Sequence, residues 1–138
     1  LYGLVGTKAN EIQPRKRMLS SMTPTIVTEG DKLKLVVGTP GGSTIITSVF
    51  QVMLNSMVFG MNMQEAVEFP RFHHQWLPDL TRYEAKRFDE AQVGRLKSKF
   101  YELTPSGAIG LVEGILILPD GKYQGGADSR GDDTALGY

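Results

Sequence analysis

The chain is predicted to be a mixed α/β protein of the α+β kind, with sheets that are mainly antiparallel. Three observations carry this. Two apolar segments are each followed by a tight turn and a return strand, at Glu29-Gly30-Asp31 and at Pro119-Asp120-Gly121-Lys122. Such turns join neighbouring antiparallel strands, whereas parallel strands need a long crossover. Between them, residues 44–59 are apolar on more sides than one stripe requires, as in a helix buried within a layered fold.

Taken in order, residues 6–22 are polar and basic (Lys8, Arg15, Lys16, Arg17) and read as a structured loop ending in Leu19-Ser20-Ser21-Met22. Strands are expected over Thr25–Val27 and Lys32–Val37; Leu33, Leu35 and Val37 alternate with Lys32, Lys34 and Val36. Gly38-Thr39-Pro40-Gly41-Gly42-Ser43 ends the second strand, and the helix of residues 44–59 follows. Its opening, Thr44-Ile45-Ile46-Thr47, has low helix propensity, so a strand competes there. Asn62 and Glu65 form a capping-box pattern for a short helix that Pro70 stops. Short strands are expected over Phe72–Trp76 and Arg82–Ala85. Asp89 caps a further helix with Val93, Leu96 and Phe100 on one side. A long apolar strand over Ile109–Leu118 and its return over Tyr123–Ala127 complete the chain.

The 138 residues suffice for one domain with a sizeable core. Lys+Arg and Asp+Glu balance at 15 each, so no net field points to nucleic acid. No apolar run approaches a membrane span. The chain has no cysteine, which excludes disulfides, thiolate metal sites and a cysteine nucleophile. It opens on Leu1-Tyr2-Gly3-Leu4-Val5 in mid-hydrophobic pattern, and we expect it to be a piece of a longer polypeptide.

Four features are candidates for chemistry. A strand running through Pro40-Gly41-Gly42-Ser43 into a helix presents unengaged N–H groups at the positive end of the helix dipole. Such a loop binds a phosphate, a carboxylate or the oxyanion of acyl transfer. It lacks the lysine of a P-loop and the spacing of a dinucleotide fingerprint, and by turn statistics a plain strand-to-helix turn is the commoner reading. Ser20 and Ser21 offer two hydroxyl donors on a bent loop beside three cations, although paired serines are common in ordinary loops. His73 and His74 are adjacent in an extended segment and point to opposite faces. With no thiol and no spaced acidic partner they do not make a zinc set, and packing or hydrogen bonding is expected of them. Asp128, Arg130, Asp132 and Asp133 do not match a calcium loop. A salt-bridged turn that pins the C-terminus is expected, and the adhesion tripeptide Arg130-Gly131-Asp132 is discounted as a chance match.

Taken together and in order, the motifs resemble those of γ-glutamyltranspeptidases. Leu19-Ser20-Ser21-Met22-Thr23-Pro24-Thr25-Ile26-Val27 resembles the family's SSM-x-PTIV segment, and Gly38-Thr39-Pro40-Gly41-Gly42-Ser43 with Ile45-Ile46 its G-[ST]-PGGS-x-II segment. Residues Pro70 to Asp79 are similar to its PRFHHQWLPD stretch, and Gly126-Ala127-Asp128 through Gly137-Tyr138 to its C-terminal signature. Met18 departs from the pattern, standing where a proline is common. The resemblance implies part of an Ntn-hydrolase αββα sandwich. It also implies a precursor that cleaves itself to free an N-terminal threonine nucleophile, and transfer of the γ-glutamyl group of glutathione and related amides to water or to an amino-acid or peptide acceptor. No cofactor or metal is implied. By motif matching, Ser20 and Ser21 would hold the substrate's α-carboxylate, and the Gly41 and Gly42 amides the oxyanion. Residues 1–138 would form the C-terminal portion of the small subunit, without the nucleophile-bearing segment. The partners implied are the rest of that subunit and the large subunit, which supplies the arginine for the carboxylate. A periplasmic, secreted or cell-surface location is implied too. The isolated piece is expected to be inactive and to self-associate through uncovered apolar faces. Two alternatives stand beside this: a cephalosporin or glutaryl acylase of the same superfamily, and a non-catalytic anion- or amino-acid-binding homologue.

Overall fold

The computed structural model describes residues 6–18, 22–99 and 102–137. Ser20, Ser21 and Phe100 lie outside the described residues. Seven strands and three α-helices are present among those described. Strands β1 (Thr25–Glu29) and β2 (Lys32–Gly38) form the first expected hairpin; β6 (Glu113–Ile117) and β7 (Tyr123–Gly126) form the second. They join in one antiparallel sheet of order β1-β2-β6-β7. Gly30 (φ 58°) and Gly121 (φ 84°) supply the left-handed residues that the two turns require.

Helices α1 (Ile45–Met57) and α2 (Met63–Glu68) pack on one face of this sheet. Leu35 and Val37 from β2, Val49 and Val52 from α1, Met63, Ala66 and Val67 from α2, and Val112 close the core. A second sheet has the order β3-β4-β5, from β3 (Phe72–His73), β4 (Thr81–Glu84) and β5 (Leu103–Ser106). β3 and β4 are antiparallel, whereas β4 and β5 are parallel, the single parallel pair among the described strands. Helix α3 (Glu90–Lys97) lies between β4 and β5 in the chain.

The structure corrects several expectations. The β-branched start of α1 is helical throughout, because a short 3-10 turn at Gly42–Thr44 leads into it and excludes the competing strand. The helix is not enclosed on most sides. Ile46, Phe50 and Met57 remain exposed, since no described element packs on that face. A register shift between Val27 and Thr28 leaves Lys34 without a counterpart on β1. Beyond this bulge Leu33 joins Val36 and Ile115 on the opposite face of the sheet rather than Leu35 and Val37. β3 ends at His73, short of the expected Trp76, whose φ of 70° leaves the extended region. β6 starts only at Glu113, because side chains engage the backbone between Ile109 and Val112 before a neighbouring strand can. β5 was not expected from the sequence. It is a short edge strand containing Pro105, which such a position tolerates.

Candidate functional site

The loop between β2 and α1 is held from both ends. Thr39 is buried; its hydroxyl donates to the Pro40 carbonyl at 2.6 Å and accepts from the Leu111 amide at 2.8 Å. At the helix end, the Thr44 amide and hydroxyl both donate to the Gly41 carbonyl, at 3.2 and 3.0 Å. Gly41 (φ 141°) and Gly42 (φ 60°) occupy backbone regions that disfavour a side chain. A Cβ on Gly41 would stand 2.7 Å from the Thr44 hydroxyl oxygen. The first helical hydrogen bonds are donated by Thr44 and Ile45. The amides of Gly41 and Gly42 therefore precede the helix ladder and take no partner among the described residues. Two N–H groups that no described residue engages thus lie at the positive end of a 13-residue helix, an arrangement that favours an anion. Beside them the Ser43 hydroxyl oxygen is buried and also without a partner among the described residues.

The histidines divide as their extended setting predicts. His73 is buried, with Nδ1 2.7 Å from Thr47 Oγ1 and Nε2 2.9 Å from Gln75 Oε1. Burial pushes its pKa down; the Gln75 hydrogen bond opposes this, while Arg82 and His74 add to the lowering. His74 is on the surface, 3.0 Å from Asp79. The paired serines expected to bind a carboxylate, Ser20 and Ser21, lie outside the described residues.

A second polar centre was only half legible in the sequence. Asp128 and Arg130 do form a salt-bridged turn, but they also meet Arg71 and Glu84 inside the protein, and all four side chains are almost fully buried. Arg130 grips Glu84 through Nε and Nη2, and reaches Asp128 Oδ1 and the Val67 carbonyl at 2.9 Å each. Arg71 pairs with Asp128 Oδ2 and donates to the carbonyls of Ile109 at 2.7 Å and Val67 at 2.6 Å. Backbone amides complete the carboxylates: Arg71 and Ile109 on Glu84, Val112 on Asp128. Burial alone would raise both carboxyl pKa values. The amides and guanidinium groups reverse this and hold both below the ordinary carboxylate range. The cluster ties α2, β4, the Ile109–Val112 segment and the C-terminal residues together. It also removes Arg130 from solvent, so the Arg130-Gly131-Asp132 tripeptide is not presented for recognition.

Two helices on one face of an antiparallel sheet, with an amide-lined loop at the start of the longer helix, define a layered α+β protein with a site suited to an anion. The comparisons with known proteins narrow this class. A family profile described as gamma-glutamyltranspeptidase matches residues 1–138. The chain is 48% identical over its full length to the glutathione hydrolase proenzyme of Escherichia coli K12, of which it covers 24%. It superposes on a crystal structure of the Helicobacter pylori gamma-glutamyltranspeptidase T380A mutant with a TM-score of 0.85 at 46% identity, covering 95% of this chain and 72% of that one. A cephalosporin acylase from Bacillus halodurans is more distant, at 25% identity and a TM-score of 0.67, covering 76% of this chain and 20% of the acylase. The chain belongs to the γ-glutamyltranspeptidase family. Its structural neighbours have the Ntn-hydrolase fold, as the sequence motifs led us to expect. The chain spans about a quarter of the length of the E. coli proenzyme it matches, so these relatives are larger precursors. Among the described residues no helix is long and apolar enough to cross a membrane.

Proposed function

We propose that residues 1–138 form the C-terminal portion of the small, catalytic subunit of a γ-glutamyltranspeptidase. In this reading the parent protein transfers or hydrolyses the γ-glutamyl group of glutathione and related γ-glutamyl amides. The observation that carries it is the Gly41–Gly42 loop, whose two amides take no partner among the described residues at the start of α1. Acyl transfer builds negative charge on the former carbonyl oxygen, and fixed N–H donors stabilise that charge more than they stabilise the ground state. The attacking group is an N-terminal threonine in a segment outside this chain, with its own α-amino group as base. Ser20 and Ser21 hold the α-carboxylate of the γ-glutamyl group by hydroxyl donation, together with an arginine of the large subunit. The partners are accordingly the rest of the small subunit and the large subunit of the same precursor. The location is that of an exported protein: periplasm, cell surface or medium.

The test is Gly42→Ala in the assembled enzyme, assayed by chromophore release from a γ-glutamyl anilide. The positive φ at Gly42 makes a side chain displace the amide, so kcat should fall by about 10²–10³ with KM little changed. Normal kcat would overturn the assignment. Replacing both Ser20 and Ser21 by alanine should instead raise KM. The isolated chain should release no chromophore, and sustained turnover would sink the reading. The acylase alternative is decided by comparing glutathione with a glutaryl β-lactam as substrate. A parent gene without a threonine at the processing site would favour the non-catalytic alternative.

A further inference from the structure

The reading above leaves a buried histidine without a role. Both ring nitrogens of His73 are engaged, by Thr47 Oγ1 and by Gln75 Oε1. The orientation of the Gln75 amide follows from its other end, where Nε2 donates to the Leu77 carbonyl at 2.8 Å. Its Oε1 therefore faces the imidazole, and a carbonyl oxygen only accepts. Nε2 of His73 must carry a hydrogen, which leaves Nδ1 as an acceptor in the neutral ring. Burial favours that neutral ring, and so do Arg82, opposite His73 in the strand register, and His74 beside it.

Thr47 has one hydroxyl hydrogen and two acceptors within reach, His73 Nδ1 and the Thr44 carbonyl at 3.1 Å. Thr44 ends the short turn that starts at Gly42, and its own amide and hydroxyl both hold the Gly41 carbonyl. That one hydrogen serves the ring or the carbonyl, so Thr47 itself joins β3 to the first turn of α1, and Thr44, three residues before it, holds the glycine loop. One turn further on, Gln51 forms a separate clamp to β3, donating to the Phe72 carbonyl at 2.8 Å and accepting from the Phe72 amide at 3.2 Å. Gln51 secures the body of α1, and the Thr47–His73 contact secures its first turn, where β-branched residues give little intrinsic helix stability.

We propose that His73 is a positioning residue for the Gly41–Gly42 loop, acting through the Thr47 hydroxyl on the first turn of α1. The inference rests on the reading of that loop as the oxyanion site. Because Gln51 keeps the helix docked, loss of the His73–Thr47 contact shifts the loop without unfolding the protein. The effect falls on turnover, since displaced donors matter most where charge develops.

Thr47→Val removes the hydroxyl and keeps the shape; Thr47→Ser keeps the hydroxyl. In the assembled enzyme, Thr47→Val and His73→Asn should each lower kcat on a γ-glutamyl anilide about tenfold. KM and Tm should stay close to those of the parent enzyme. Thr47→Ser should retain turnover within about twofold, and the double variant should lose no more than the worse single variant. A Thr47→Val enzyme with unchanged kcat, or losses that multiply in the double variant, would overturn the proposal. If His73→Asn does not fold, the contrast between Thr47→Val and Thr47→Ser decides it alone. Gly42→Ala separates the two layers. Retained turnover there removes the loop reading itself, whereas a loss there with none in Thr47→Val removes only the role of His73.

Discussion

Asp128 is fully buried, yet each of its carboxylate oxygens is saturated: Oδ2 by Arg71 and the Val112 amide, Oδ1 by the side chain and amide of Arg130. A buried charge is tolerable only when it is paired and hydrogen-bonded, and removing one partner strands the others. Asp128→Asn should therefore cost about 3–5 kcal/mol, read as a fall in denaturation midpoint, because it leaves Arg71 and Arg130 sharing Glu84. A loss below about 1 kcal/mol would mean that the cluster is not the fastening it resembles. Gly41 makes a sharper point about space. Both its φ of 141° and the 2.7 Å approach of Thr44 Oγ1 forbid a Cβ, and neither appears in the bare dipeptide Gly-Gly. The sequence marks the residue, but the reason for it lies in its neighbours.

At the scale of elements, local chemistry was the more legible part. The capping box read at Asn62 and Glu65 and the cap read at Asp89 are both formed, and the structure adds Gln92 as the second half of a box with Asp89. Their weight differs, because α2 buries Met63, Ala66 and Val67 whereas no residue of α3 is buried. Asn62→Ala should lower global stability by about 1 kcal/mol in chemical denaturation. Asp89→Ala should speed amide exchange within α3 while leaving the global midpoint almost unmoved. Equal effects on the midpoint would contradict this division. The hairpins were legible for the same reason, since glycine in a left-handed turn is a local requirement. β5 and the shortened β6 were not. A four-residue parallel edge strand exists only because β4 offers its edge to it, and Ile109–Val112 is kept from strand pairing by side chains distant in sequence.

Over the whole molecule, pH and exposed apolar surface set the conditions for stability. Glu84 and Asp128 have lowered pKa values in the folded chain, so the unfolded chain takes up these protons first. Their stabilisation is complete above the ordinary carboxylate range near pH 4 and is lost as pH falls through the lowered folded values. His73 acts in the same direction at higher pH: its lowered value makes stability decline as pH falls below about 6.5. Urea midpoints measured from pH 8 to pH 3 should fall first modestly and then steeply; a flat profile would refute both assignments. Ile46, Phe50 and Met57 on α1 are exposed on one side of the sheet, and Ile115 and Tyr123 on the other. The isolated chain should therefore self-associate, as sedimentation velocity would detect, and a stable monomer at high concentration would count against it.

The sequence by itself determined the family, the hairpins, the helix caps and the glycine loop, because each depends on residues close together in the chain. Ser20 and Ser21, its other assigned pair, lie outside the described residues. Only the tertiary structure decided that Asp128 and Arg130 meet Arg71 and Glu84, and that His73 reaches the start of α1 through Thr47. Those contacts join segments separated by 26 to 57 positions. No local propensity encodes them; they form when the sheet and helices close on a shared interior, where an unpaired buried charge is costly.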